Sequence, residues 1–182
     1  KSDKFTHFLR YKNDSILISY KTLNKDNPKL NCRLKGFEKF SPKRIILDNK
    51  LNTNTNSYLF KTANKENTIF FYNEAHKSKI LEFKKSKITL VKSNINDNKK
   101  FNPSIIFKKL YTLGCRNILV EGGDELTKNL IKNRLFDKFY LLRSPKNLLL
   151  NKKHQIFTSS SILNRIYKKK SKINSKLVKD NI

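Results

Sequence analysis

The sequence predicts an α/β fold in which helices cover a layered sheet of mostly parallel strands, with antiparallel strands at the C-terminal end. Short apolar runs typical of buried strands alternate with segments whose apolar residues recur at helical spacing. The clearest change of period lies within residues 117–126, where a branched apolar run passes through Gly122 and Gly123 into a helical pattern. This alternation is typical of strands joined by helices, and the 182 residues fit one domain.

Local signals predict one helix and three strands in the first half of the chain. A polar cap at Ser2 or Asp3, followed by apolar residues at helical spacing, predicts a helix over residues 2–12. Apolar runs of strand length predict strands over residues 15–19, 44–48 and 68–72.

The segments between these strands are polar, which favours loops. Residues 22–33 contain the turn sequence Asp26-Asn27-Pro28 and predict a loop. Residues 49–67 predict a second loop, with a short strand over residues 57–60. A weaker helical pattern follows over residues 74–83.

The second half repeats the alternation. Pro103 is typical of a helix start and Gly114 of a helix end, so they bound an amphipathic helix over residues 103–113. The remaining predictions are strands at 88–91, 117–120 and 138–143, a polar loop at 94–100, a helix at 124–134 and a hairpin from Gln155.

Composition limits the classes of protein. No apolar stretch approaches the roughly 20 residues that span a membrane, so no membrane partner is expected. Cys32 and Cys115 are isolated, which indicates reduced thiols and a cytoplasmic protein. The three histidines are scattered and lack metal-ligand spacing, so no metal site is expected in this chain.

The formal net charge of +27 allows a nucleic-acid-binding interpretation. The lysines, however, are spread along almost every segment and interleaved with asparagine, whereas a dedicated surface concentrates arginine and aromatic residues. We interpret the charge as a bias of composition and expect no specific nucleic-acid partner. The charge should favour anionic small molecules, such as phosphorylated substrates.

The Gly-Gly junction predicts an anion-binding site. Glycine lets a ligand approach the backbone or lets the backbone take positive φ, and a helix start offers unpaired N–H groups. Three of the four glycines, Gly114, Gly122 and Gly123, lie in or just before this segment. The alternative is a tight strand–helix junction that binds no ligand. The spaced glycines of a Rossmann motif are absent, so this motif alone does not predict a dinucleotide-binding site.

Three ordered stretches resemble a known family. They are LRYKNDSILISYKTLNKDNPKLNCRL from Leu9, PKRIILD from Pro42 and LVEGGDELTKNLIKNRLFDKFYLLRSP over residues 119–145. Together they resemble the reductase domain of bifunctional riboflavin-biosynthesis deaminase–reductases. The resemblance implies a three-layer, dihydrofolate-reductase-like fold. It also implies NADPH-dependent reduction of 5-amino-6-(5-phosphoribosylamino)uracil, a phosphorylated pyrimidine, to the ribitylamino product.

The resemblance also implies the site residues. Substrate contacts are expected at Arg10, Leu30, Arg33 and Glu121. Cofactor contacts are expected at Thr22, Asp26, Asn49, Gly123, Asp124, Glu125, Leu126, Thr127, Lys128 and Asn129, although relatives often have serine where Asn49 stands. No side chain is expected to act as a nucleophile, because the hydride comes from the nicotinamide. The alternatives are a surface charge for Arg10 and a turn residue for Asp26.

The chain has no methionine, and we expect it to be the downstream part of a longer protein. The resemblance implies that residues 1–182 are the reductase domain without its first strand. A zinc deaminase domain would precede it, zinc would bind there alone, and the reductase domains would form a homodimer. Three alternatives stay open: a reductase of the same pathway without a deaminase, a basic nucleic-acid-binding module, and an inactive remnant of the fold.

Overall fold

Five parallel strands form the central sheet of the protein. The computed structural model describes residues 2–142 and 159–166. The order of the strands in the sheet is β4-β3-β2-β1-β5, and every neighbouring pair is parallel. The strands are β1 (Ser15–Ser19), β2 (Lys43–Leu47), β3 (Thr68–Tyr72), β4 (Thr89–Lys92) and β5 (Ile118–Val120).

Helices cover both faces of the sheet. On one face, Ile16, Ile18 and Ile46 pack with residues of α2, α3 and α4; on the other, Leu17 and Ile45 pack with residues of α5. This gives three layers, because successive residues of a strand point to opposite faces. The helices are α1 (Ser2–Lys12), α2 (Tyr20–Asp26), α3 (Tyr58–Lys61), α4 (Lys77–Lys85), α5 (Pro103–Thr112), α6 (Asp124–Lys132) and α7 (Ser159–Ile166), with a 3₁₀ turn at Glu38–Phe40.

The order of the strands places β1 between β2 and β5, and the region outside the carboxyl ends of β1 and β5 is termed the crevice. The chain moves from β1 through β2 and β3 to β4, then returns through α5 to place β5 on the other side of β1. The strand order therefore reverses at β1, which pairs with β2 on one side and with β5 on the other. In open α/β sheets, this is the point at which ligands bind, outside the carboxyl ends of the strands.

The structure confirms most of the predicted elements. β1 and β3 have the predicted bounds, and β2, β4, β5 and the helices α1, α4, α5 and α6 differ from prediction by at most three residues at an end. None of the described helices is long and apolar enough to cross a membrane.

Two predictions for polar segments are wrong. Residues 22–26 of the predicted loop lie in α2, because Ser19 Oγ accepts the backbone N–H of Thr22 and Leu23 is buried in the core. Residues 58–60 of the predicted short strand lie in α3, which begins after the cap Ser57. In both cases a serine cap and one or two buried apolar residues stabilise a helix too short to show a periodic pattern.

The predicted C-terminal strands also need correction. Residues 138–142 are not in a strand, so no antiparallel strand joins the sheet within the described part of the chain. The predicted hairpin is wrong over Ser159–Ile166, which form α7. The rest of that prediction, with residue 143, lies outside the described residues.

The aromatic core gives a stability prediction. Phe83 is 1% exposed, and its ring centroid lies 4.9 Å from that of Phe60 and 5.1 Å from that of Phe70. We expect Phe83→Ala to lower the free energy of unfolding by roughly 3–5 kcal/mol, because it leaves a cavity. Leu81→Ala on the same helix is the control, since Leu81 is 58% exposed and its loss should cost less than about 0.5 kcal/mol. Equal urea midpoints for the two variants would contradict this packing.

Candidate functional site

The crevice between β1 and β5 begins at the carboxyl ends of these strands. Ser19 ends β1, and its Oγ lies 3.1 Å from Thr22 Oγ1. Glu121 follows β5 and donates its backbone N–H to the carbonyl of Leu17 over 3.2 Å, which extends the pairing of the two strands. Thr22 Oγ1 lies 3.7 Å from the position that a Cβ on Gly123 would occupy. The structure therefore brings Thr22, Glu121 and Gly123, all predicted site residues, to one edge.

Arg10 and Glu121, both predicted to contact substrate, bind each other. Arg10 Nε donates to Glu121 Oε1 over 2.8 Å, and Nη2 donates to Oε2 over 2.7 Å. This is the bidentate geometry in which a guanidinium matches a carboxylate. Arg10 Nη1 also donates to the carbonyl of Asn31 over 3.2 Å. One side chain of α1 therefore joins β5 and the segment that follows α2.

Arg33 lies beside His7, a residue for which no site role is predicted from the sequence. Arg33 Nε lies 3.1 Å from His7 Nε2, and the backbone N–H of Arg33 lies 3.3 Å from Nδ1. A neutral imidazole has one acceptor nitrogen, so each tautomer accepts one of these donors. Burial, with the charges of Arg10 and Arg33, lowers the pKa of His7, which keeps the ring neutral and able to accept. The pattern His-x-x-Arg on a helix is a sequence signal that could have identified His7.

The two glycines differ in what they require. A Cβ on Gly122 would lie 2.8 Å from Leu126 Cδ2, so a side chain here would displace Leu126. Gly123 is the N-cap of α6 with φ −67°, and a Cβ there would meet no atom closer than 3.7 Å. Neither glycine has positive φ, contrary to one of the two roles expected for them. Gly123 instead brings the first turn of α6 close to Thr22, because a Cβ on Gly123 would lie in van der Waals contact with Thr22 Oγ1.

Acidic residues of the first turn of α6 bind basic or polar groups. Asp124 Oδ1 accepts the backbone N–H and the hydroxyl of Ser159, over 3.0 and 2.6 Å, and Oδ2 pairs with Lys128. Asp124 thus fixes the start of α7. Glu125 pairs with Lys100 at 2.8 Å and Lys21 at 3.4 Å, and the hydrogen bond from Lys100 lowers its pKa. Two ammonium groups therefore lie near the start of α6.

The rest of the predicted α6 segment supports the helix. Leu126 packs against Gly122, as described above. Thr127 donates its hydroxyl to the Gly122 carbonyl over 3.4 Å, and Asn129 accepts the amide of Asn133 over 2.7 Å. These contacts are local to the helix and its N-terminal junction.

Three predicted residues lie apart from these contacts. Leu30 has φ 56° and is 1% exposed within the core, so its backbone rather than its side chain could reach a ligand. Asp26 is exposed at the end of α2. Asn49 is half-buried after β2, and its carbonyl accepts the backbone N–H groups of Asn73 and Glu74. The described residues contain no group of three His, Cys, Asp or Glu side chains that could hold a metal ion.

This arrangement defines a class of protein: a parallel α/β domain with polar side chains at the carboxyl ends of its strands and a glycine-capped helix, the place where such domains commonly bind ligands. The family follows from comparison with known proteins. Residues 1–176 match the model of the RibD C-terminal domain, and the chain belongs to that family.

Individual relatives agree with this assignment. The riboflavin biosynthesis protein RibD of Aquifex aeolicus is 30% identical over 80% of this chain and 39% of its own length. The 5-amino-6-(5-phosphoribosylamino)uracil reductase of Buchnera aphidicola is 28% identical over 76% of this chain and 69% of its own length. The chain spans well under half of the Aquifex relative.

A solved structure supports the fold. RibD of Acinetobacter baumannii superposes with a TM-score of 0.60, covering 86% of this chain and 44% of its own. Its identity is 16%, so this likeness concerns the fold alone. It confirms the α/β class expected for a dihydrofolate-reductase-like reductase domain.

The environment of His7 gives a prediction about pH. The unfolded chain has a histidine pKa of about 6.5, whereas the folded state resists protonation of His7. The free energy of unfolding should therefore fall as the pH drops below about 6.5, until the lowered folded pKa is passed. His7→Gln keeps an acceptor for Arg33 but removes this titration, so its stability should fall less over the same range. Urea denaturation between about pH 7.5 and 5.5 measures the difference, and identical pH slopes for the two proteins would contradict it.

Proposed function

We propose that residues 1–182 form a reductase domain that uses NADPH to reduce 5-amino-6-(5-phosphoribosylamino)uracil to the ribitylamino product. Membership of the RibD C-terminal domain family supports this proposal. So does the name of the Buchnera relative, which is a reductase of that compound. The observation that carries the proposal is the convergence of Thr22, Gly123 and the Arg10–Glu121 pair at the carboxyl ends of β1 and β5.

The crevice has groups suited to a dinucleotide phosphate. Gly123 has no side chain of its own in front of the first turn of α6, whose N–H groups and dipole favour an anion. Lys21 and Lys100 add two cations at Glu125. Thr22 Oγ1 offers a hydroxyl on the facing side of the crevice. We assign the cofactor phosphates to this end, and NADPH, when bound, supplies the hydride that reduces the ribosyl C1′.

We assign the substrate to the side of the crevice bounded by α1. Arg33 is exposed, and only one face of its guanidinium is directed to His7, so it can bind a phosphate through paired N–H groups. Glu121 is held by Arg10 but keeps further lone pairs, which can accept hydrogen bonds from a polar substrate. Arg10 orients Glu121 and, through Asn31, the segment that leads to Arg33. These residues increase the rate of hydride transfer by orienting the substrate relative to the nicotinamide.

The proposed cofactor position is tested at Gly123. Gly123→Val in the complete protein should weaken NADPH binding tenfold or more, about 1.4 kcal/mol, because a branched side chain fills the space proposed for the phosphates. Gly123→Ala is the graded control and should have a smaller effect, since its Cβ meets no protein atom closer than 3.7 Å. Fluorescence titration measures the affinity, and circular dichroism checks the fold. Unchanged NADPH affinity in a folded Gly123→Val variant would exclude this position for the cofactor.

The proposed substrate position is tested at Arg33. Arg33→Ala in the complete protein should raise the KM for the phosphorylated substrate roughly ten- to a hundredfold. The reason is the loss of a charged hydrogen bond to the phosphate, which contributes about 1.5–3 kcal/mol. The KM for NADPH should change little. Arg33→Lys should restore part of the loss, because an ammonium cannot reproduce the guanidinium fork. Steady-state kinetics with each ligand varied separately decide the assignment, and a change confined to the KM for NADPH would contradict it.

A further inference from the structure

A second cavity lies near the amino end of β2, apart from the crevice at the carboxyl ends of the strands. It encloses about 210 Å³. Arg44, the second residue of β2, forms part of its wall, and so does the segment that follows α2. No Asp or Glu side chain lines it, and its polar lining comes from Lys29, Asn31, Ser41, Arg44, Tyr58, Thr62 and Asn67.

Arg44 is buried without an anionic partner. It is 7% exposed, and none of the ion pairs among the described residues includes it. Its guanidinium donates to neutral oxygens: Nε to Thr68 Oγ1 over 3.1 Å, Nη1 to Thr62 Oγ1 over 2.8 Å, and Nη2 to the Thr62 carbonyl over 2.8 Å. These bonds satisfy donors but do not neutralise the charge. Burial accordingly lowers the pKa of Arg44, which shows the cost of this uncompensated charge.

Other groups of the cavity are suited to an anion. Lys29 Nζ lies 5.3 Å from the centroid of the Tyr58 ring, so a second cation is held at the same wall. Asn31 Oδ1 is buried without a hydrogen-bond partner. The Nδ2 atom of Asn31 makes no hydrogen bond among the described residues, so its N–H groups can donate to a ligand. Arg44 Nη1 has a second N–H that its bond to Thr62 does not use.

We propose that this cavity binds a phosphate group, either inorganic phosphate or a phosphate monoester. The buried guanidinium of Arg44 supplies the charge, Lys29 supplies a second cation at the rim, and the amide of Asn31 supplies neutral donors. Arginine at the base of the cavity is suited to phosphate because its N–H groups match the spacing of phosphate oxygens. This site does not use Arg10, Arg33, Glu121 or Gly123, to which the reductase proposal assigns its ligands, although Leu30, an expected substrate contact, lines the cavity.

The cavity is joined to the crevice through Asn31. Asn31 lines the cavity, and its backbone carbonyl accepts a hydrogen bond from Arg10, which holds Glu121. A phosphate bound to Lys29 and Asn31 therefore holds the segment that positions Arg10. Phosphate in the cavity should therefore stabilise the Arg10–Glu121 pair at the crevice. The two sites would then be coupled, so that binding at one favours binding at the other.

The test measures the affinity of the full chain for two separate probes, inorganic phosphate and ribose 5-phosphate. Titration calorimetry at constant ionic strength gives the affinity for each. Lys29→Glu should weaken binding about tenfold or more, because it replaces a cation at the rim by an anion. Lys35→Glu makes the same change of charge at an exposed position outside the cavity lining and should have little effect. Arg33→Ala, which removes the proposed substrate contact, should also leave this binding intact.

The outcomes separate the two phosphate sites and the two sources of phosphate. Tighter binding of ribose 5-phosphate identifies a sugar phosphate as the occupant, and tighter binding of inorganic phosphate identifies the free ion; either supports the proposal. Equal losses of phosphate affinity in Lys29→Glu and Lys35→Glu would show non-specific attraction to a basic protein and overturn the proposal. A loss of phosphate affinity in Arg33→Ala alone would place the phosphate in the crevice and would also overturn the proposal. A shift of the Asn31 side-chain amide signals in ¹H–¹⁵N spectra on adding phosphate is the expected local readout, and no shift at saturation would contradict the site.

Discussion

The pair formed by Arg10 and Glu121 is the constraint on which the crevice depends. Two nearly parallel hydrogen bonds join the last turn of α1 to the end of β5. The side chains are only 11% and 26% exposed, so the attraction is screened less by water than that of a surface pair. Removing either partner would leave a partly buried charge alone, which is more costly than the pair itself is worth. The same guanidinium reaches Asn31, so three segments far apart in sequence meet at one group.

Acidic side chains are scarce in this chain, and several of them fix the architecture. The sequence has 14 acidic residues against 41 lysines and arginines. Asp14 accepts the backbone N–H groups of Arg116 and Asn117, both over 2.8 Å, and so fixes the start of β5 beside β1. Asp48 is fully buried and accepts the N–H of Thr53 over 2.7 Å at the end of β2. Asp124 holds α7 against α6 through Ser159. Each carboxylate thus satisfies backbone donors that a helix or strand end would otherwise leave unpaired.

The basic residues divide into two kinds. Most lysines are exposed, and their charges interact weakly in water. Arg10, Arg33 and Arg44 differ because each guanidinium is held by named acceptors, a carboxylate, an imidazole and threonine oxygens respectively. A large net charge is therefore a poor guide to the site, whereas the environment of individual arginines is a good one. The planar fork of arginine loses little freedom when it is fixed, which suits it to these positions.

The sequence by itself determined the secondary-structure elements that depend only on residues close together in the chain. The apolar runs of β1 and β3, the Asn102-Pro103 start of α5 and the strand–Gly-Gly–helix junction are local patterns, and each was predicted close to its observed bounds. The resemblance added the candidate residues, of which Thr22, Gly123, Arg10 and Glu121 prove to be neighbours in space. Local rules failed for α2 and α3, which are too short to have a period and are stabilised by capping and by burial.

Only the tertiary structure decided how these parts meet. The adjacency of β1 and β5 follows from the path of the whole chain, and no local signal specifies it. Arg10 and Glu121 are 111 residues apart, so their mutual pairing could not be read from either motif. His7 and Arg33 are 26 residues apart, and the support that one gives the other depends on how α1 packs. Secondary structure is encoded by short-range periodicity, whereas a binding site is made by contacts between distant segments that exist only after the sheet has formed.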